Sequence, residues 1–143
     1  MPVRTGVDAD AAAIRAFAPD LVVVATGAVP RPAPFDVSRV TVPVRQAWDV
    51  LATPAPLGTG TRVSIVGAGA AGLECADLLA AHGCTVVVFE ATASAGRGLA
   101  RNNRMDLLDR LAAAGVEVVL DARITAADGT DLCVAVEIGR AHV

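Results

Sequence analysis

A chain of 143 residues with 54% hydrophobic content can bury one real core, a domain with part of a second, and this composition excludes intrinsic disorder. The formal net charge is −3 and the twelve basic residues, all Arg, are scattered, so no polyanion footprint and no nucleic-acid partner are expected. No apolar run approaches the roughly 18 residues that span a bilayer, and Met1-Pro2-Val3-Arg4 lacks the apolar stretch of a signal peptide. No membrane partner is therefore expected, and the expected location is cytoplasmic. Cys75, Cys84 and Cys133 are odd in number and show no CxxC spacing, which predicts buried small hydrophobes rather than a disulfide, zinc or dithiol centre.

In chain order, Asp8 is the expected cap of a short helix with Ile14 and Phe17 three apart, and Pro19 forbids its continuation. Leu21-Val22-Val23-Val24-Ala25 is a continuous β-branched run of the kind found in a parallel strand covered on both faces, and a turn at Thr26-Gly27 follows. Six of the eight prolines fall between Ala28 and Gly60, which predicts a connection, interrupted by a short helix around 45–51 with Trp48 as a packing anchor. A domain boundary belongs in this stretch.

From Thr61 the order becomes strand, glycine turn, helix, strand, that of a βαβ unit. The expected elements are a strand at 62–66, a helix at about 71–82 stopped by Gly83, and a strand at 85–90. A second helix at 103–114 follows, with Asn102 or Asn103 as cap, Leu107, Leu108 and Leu111 on its buried face, and Asp106 paired to Arg110. Gly115 ends it, and a third strand begins at 116–120. The fold class expected is α/β, a Rossmann-like parallel sheet with flanking helices.

The motif Gly67-Ala68-Gly69-Ala70-Ala71-Gly72 lies directly after the first strand and opens the helix, the context in which GxGxxG binds a dinucleotide. Gly67 permits the tight turn, Gly69 leaves no side chain where a pyrophosphate approaches, and Gly72 lets helix and strand pack closely. The helix N-terminus presents free N–H groups and partial positive charge to the anion. Glu90, at the end of the second strand, stands near the spacing of roughly 20 residues expected for the acid that binds the adenosine ribose. A carboxylate there repels a 2′-phosphate and favours NAD over NADP, while Arg97, with Arg101 and Arg104 nearby, is the counter-signal. Glu74, assigned to the helix's first turn, either favours the dipole or contacts the nicotinamide end. His82 reads as a C-terminal dipole partner rather than a catalyst. No catalytic acid, base or nucleophile is identifiable, and no metal site is expected.

Two stretches together resemble the two-dinucleotide-domain flavoproteins of the pyridine nucleotide-disulfide oxidoreductase-like superfamily. They are most similar to the C-terminal half of old-yellow-enzyme-like reductases such as 2,4-dienoyl-CoA reductase and trimethylamine dehydrogenase. The first is Pro19 through Arg31, similar to the ATGxxP segment where the chain leaves the FAD domain; the second is Gly67 through Glu74, followed by Gly96-Arg97-Gly98-Leu99 and the Asn103-to-Leu108 helix. The resemblance implies that Ala25, Thr26 and Gly27 run close to FAD, and that Gly67, Gly69, Gly72 and Glu90 bind NAD(P)H, with Glu74 toward its reactive ring. It implies a fragment of a partial two-domain flavoprotein: residues 1–36 from the end of an FAD-binding domain, 37–60 a connection, and 61–137 an incomplete NAD(P)H-binding Rossmann domain. Its partners would be FAD, the nicotinamide dinucleotide and the remainder of its own polypeptide. Glycine turn and Glu90 also suit an FAD-binding first domain, so an amine-oxidase-like flavoenzyme and a non-catalytic adenine-nucleotide module remain the alternatives.

The final six residues, Ile138-Gly139-Arg140-Ala141-His142-Val143, are what results from translating ATC GGA AGA GCA CAC GTC, a string that matches the body of a widely used short-read sequencing adapter. They are expected to be a read-through scar, with the natural chain continuing past residue 137, and His142 is given no role.

Overall fold

The structure is a computed structural model that describes residues 3–53 and 57–136; the expected read-through segment lies outside the described residues. Helices α1 (Ala11–Phe17) and α2 (Ala47–Ala52) precede the α/β unit, which runs β1 (Arg62–Val66), α3 (Ala70–Ala81), β2 (Thr85–Phe89), α4 (Arg101–Ala113) and β3 (Glu117–Val119). A hairpin of β4 (Ala122–Asp128) and β5 (Asp131–Val136) follows.

The three strands of the α/β unit lie in the order β1-β2-β3 and are parallel, with Arg62 opposite Thr85 and Val87 opposite Glu117. This is the Rossmann-like α/β fold that alternating β-branched runs and Ala/Leu-rich helices specify. The core lies between sheet and helices, where Leu73, Leu111 and Val88 are fully buried among Ile65, Leu79, Val86 and Leu107. Leu108 is partly buried against the same cluster.

Both long helices end in the same way. Gly83, at φ +80, donates to Ala80 O at 2.9 Å while Cys84 N reaches Leu79 O; Gly115, at φ +73, donates to Ala112 O at 3.1 Å while Val116 N reaches Leu111 O. These paired bonds are the Schellman arrangement, and burial of Cys84 with Leu79 and of Val116 with Leu111 closes each end. Each stop delivers the chain directly into the next strand.

Several expectations are corrected. Leu21 to Ala25 forms no strand: no ladder partner meets it among the described residues, and Leu21, Val23 and Val24 are exposed, so a sequence suited to a covered strand here finds no cover. The cap of α1 is Asp10, whose Oδ1 accepts from Ala13 N at 2.7 Å; Asp8 stands two residues too early to reach that amide. Helix α4 starts at Arg101 on Ala100, so Asn102 and Asn103 lie inside its first turn and cap nothing. Its entry is fixed instead by the partly buried Leu99 and its bond to Gly96 O at 3.2 Å. Trp48 is half-exposed rather than an anchor; α2 packs through Ala47, Val50 and Leu51. Cys75 and Cys84 are buried as expected, whereas Cys133 is exposed.

The hairpin docks at the end of β2 through Ala122 N, which donates to Glu90 O at 2.8 Å. Its turn also meets the proline-rich stretch: Thr41 N donates to Gly129 O, Gly129 N to Arg39 O, and Arg39 pairs with Asp128 at 2.7 Å. Among the described residues no helix is long and apolar enough to cross a membrane.

Candidate functional site: the glycine turn and Glu90

The turn between β1 and α3 is continuous with the sheet, because Gly67 N donates to Phe89 O at 2.8 Å as the last rung of the β1–β2 ladder. The chain then reverses at Gly67, whose φ of +100 a side chain would rarely allow, and enters α3 with Gly69 as its N-cap. Gly72 sits against the reversal. A Cβ there would stand 2.0 Å from the Gly67 carbonyl oxygen, so only glycine lets the first turn of α3 approach so closely.

The opposite face of the turn is open. A Cβ at Gly67 or at Gly69 would meet nothing within 4 Å. Leu73 N donates to Gly69 O at 3.0 Å, and the N–H groups ahead of it, from Gly69, Ala70, Ala71 and Gly72, have no protein acceptor among the described residues. Four unfilled donors at the positive end of a 12-residue helix match the hydrogen-bonding needs of a negatively charged, oxygen-rich group. Ala68 plays another part: its side chain is buried in the core, and its carbonyl accepts from Gly96 N at 2.7 Å.

Glu90 faces this turn. Its Oε2 accepts from Ala68 N at 2.8 Å, and its Oε1 accepts from Thr92 N at 2.9 Å and from the Thr92 hydroxyl at 2.7 Å. Partial burial alone would raise the Glu90 pKa, but the Thr92 and Ala68 hydrogen bonds and the positive charge of Arg97 outweigh it and hold the carboxyl below its ordinary value. The group is therefore an ionised, acceptor-only carboxylate beside an open row of backbone amides, an acceptor and donors of the kind that a ribose next to a diphosphate would need.

Arg97 belongs to the same cluster through its charge on Glu90, and its side chain is exposed. With Arg101 and Arg104 it lines a pocket of about 480 Å³ between the 96–99 loop and α4. The Arg104 stem packs on Gly96, and its buried Nε has no hydrogen-bond partner among the described residues.

Glu74 is the fifth residue of α3 rather than a first-turn residue, and it is exposed with no ion pair among the described residues. His82 caps the far end of α3, where Nδ1 lies 2.7 Å from the Leu78 carbonyl and so carries the proton as donor. Ala25, Thr26 and Gly27 are exposed and share no hydrogen bond with the glycine-turn cluster. Thr92 was not anticipated from sequence. The available signal was a short hydroxyl two residues beyond the acid, a spacing at which Thr commonly bonds locally.

The residues present thus fit a dinucleotide in donors and charge. The chain is 34% identical over 115 residues to an NADH oxidase of Thermoanaerobacter brockii, covering 80% of this chain and 18% of that protein. It is 35% identical over 124 residues to a bilirubin reductase of Mediterraneibacter gnavus, covering 87% of this chain and 19% of that protein. It therefore spans about a fifth of the length of these curated relatives. Among solved structures, a 2-naphthoyl-CoA reductase complex shares the fold with a TM-score of 0.66 at 20% identity, over 90% of this chain and 19% of that one. The crystal structure of Fdr9 has a TM-score of 0.55 at 28% identity, over 77% of this chain and 27% of that one. The profile of one family matches residues 5–141, nearly the whole sequence, and the chain accordingly belongs to the pyridine nucleotide-disulphide oxidoreductase family.

Proposed function

We propose that the turn from Gly67 to Gly72 and the carboxylate of Glu90 hold a nicotinamide dinucleotide within an FAD-dependent oxidoreductase of the old-yellow-enzyme-like type. One observation carries the reading: Glu90 meets the Ala68 amide inside a turn whose next four amides have no acceptor among the described residues. Those amides bind the diphosphate, and the ionised carboxylate takes the hydroxyls of the adenosine ribose. Because Glu90 is anionic, a 2′-phosphate beside it is repelled, and NAD is favoured over NADP. Arg97 lies near enough to temper that preference through its charge on Glu90.

Glu74, exposed one turn beyond the cradle, is assigned to the nicotinamide end of the ligand. Residues 1–36, with Ala25, Thr26 and Gly27, are assigned to the end of an FAD-binding domain, joined through 37–60 to the nicotinamide-binding unit from residue 61. The exposed apolar side chains of Leu21, Val23 and Val24 support this assignment, since the remainder of such a domain would cover them. When bound, the nicotinamide supplies a hydride for the flavin, and this chain's own residues bind and orient without moving a proton.

Titrating a longer polypeptide that carries this chain with NADH and with NADPH, under anaerobic conditions, tests the reading. Loss of the flavin's visible absorbance with NADH, and less readily with NADPH, is expected. A bound flavin indifferent to both would favour an oxidase that uses this turn for FAD, and a preparation without flavin would favour a nucleotide-holding module.

A further inference from the structure

We propose that Thr92 is a positioning residue that fixes the Glu90 carboxylate against the glycine turn and thereby sets the discrimination between a ribose 2′-hydroxyl and a 2′-phosphate. The inference rests on the dinucleotide reading above and adds a specificity determinant to it.

A glutamate side chain has three rotatable bonds, and a partly exposed one at the end of a strand is ordinarily free to swing into water. Here it is held at both ends. The Glu90 backbone is pinned by donation of its N–H to Val119 O at 2.8 Å and by acceptance at its carbonyl from Ala122 N. Its side chain is pinned by Ala68 N on Oε2 and by both donors of Thr92 on Oε1. The Thr92 hydroxyl has one proton and two acceptors within reach, Glu90 Oε1 at 2.7 Å and Ser94 O at 3.3 Å, and the shorter contact to the charged oxygen takes it. Thr92 is itself anchored to the next part of the fold, because its carbonyl accepts from Asp121 N at 3.2 Å in the turn between β3 and β4. The clamp residue is therefore tied to the turn that follows β3.

Two oxygens offer about four lone-pair sites, and three donors from the protein use most of them. The remaining capacity is presented in one fixed direction, beside the open cradle. A carboxylate so held offers a ribose hydroxyl a ready acceptor and offers a 2′-phosphate a nearby negative charge that cannot move aside. Without the Thr92 hydroxyl, Oε1 retains only the backbone donor, and the side chain gains the freedom to rotate away from the turn. The acid is then a poorer acceptor for the hydroxyl and a weaker barrier to the phosphate.

The test is equilibrium binding of ADP-ribose and of 2′-phospho-ADP-ribose to the 143-residue chain, to Thr92→Val and to Thr92→Ser, by calorimetry. Thr92→Val keeps the side-chain shape and removes the donor; it is expected to weaken ADP-ribose about five- to tenfold and to narrow the preference over the 2′-phosphorylated probe by a similar factor. Thr92→Ser retains the hydroxyl and is expected to restore both affinity and preference to within about twofold. A merely structural role would weaken both probes together and leave their ratio unchanged. The proposal is overturned if Thr92→Val matches the wild type in that ratio, or if Thr92→Ser fails to restore it. If the wild-type chain binds neither probe, the dinucleotide reading itself fails, an outcome distinct from tight wild-type binding with an unaltered Thr92→Val ratio.

Discussion

Gly72 and Glu90 shape the site from opposite sides, one by leaving out atoms and the other by supplying them. Because an added Cβ at Gly72 would stand 2.0 Å from backbone rather than from a flexible side chain, Gly72→Ala must displace either α3 or the turn. It is expected to destabilise the chain by about 1–3 kcal/mol, read as a lower urea midpoint, and to weaken ADP-ribose binding in parallel. Glu90→Gln leaves the shape intact but sets an amide against donors from Ala68 and Thr92, and ADP-ribose affinity is expected to fall about tenfold. The pH dependence follows from the lowered Glu90 pKa. A carboxyl depressed in the folded state contributes stability that is fully present above its ordinary value of 4.5 and is lost as pH falls through the lower native value. The difference in urea midpoint between wild type and Glu90→Gln should therefore be constant above pH 4.5 and close below it; a difference that persisted in acid would contradict the ionised clamp.

At the scale of elements, the βαβ unit was legible because local chemistry and burial agree there. Val86 and Val88 are β-branched and covered, α3 is rich in helix formers, and Gly83 and Gly115 fall where left-handed stops are needed. Gly115→Ala faces open space and is expected to cost about 1 kcal/mol from its positive φ alone; Gly83→Ala also sets a Cβ 3.0 Å from Thr59 Cγ2 and should cost more. Equal melting temperatures for the two variants would contradict the difference between these two stops. The hairpin was not read from sequence although Asp128-Gly129 marks its turn, because alternation fails within β4. Ala122 and Ile124 are buried, but a bulge between Ile124 and Ala126 turns Ala127 inward instead of Ala126. Leu21 to Ala25 failed in the other direction: its residues favour a strand, yet strand formation needs a partner that propensity cannot supply. Of the site, the glycine turn and Glu90 follow from spacing, whereas the Thr92 clamp depends on where two side chains point once β2 has ended.

Over the whole molecule, a well-covered α/β unit carries a segment whose apolar side chains contribute nothing to its core. Leu21, Val23 and Val24 are each more than three-quarters exposed, and the chain is expected to self-associate through them. Val23→Asp combined with Val24→Asp should raise the monomer fraction in sedimentation without shifting the unfolding midpoint, since neither side chain is in the core. The decisive question for the molecule is whether its open turn is a dinucleotide cradle. Mapping backbone amide shifts of the 143-residue chain during titration with ADP-ribose answers it most directly. Saturable shifts centred on Ala68 to Leu73 and on Glu90 to Thr92 are predicted; saturation with those amides unmoved, or shifts confined to the Arg97, Arg101 and Arg104 pocket, would contradict the account.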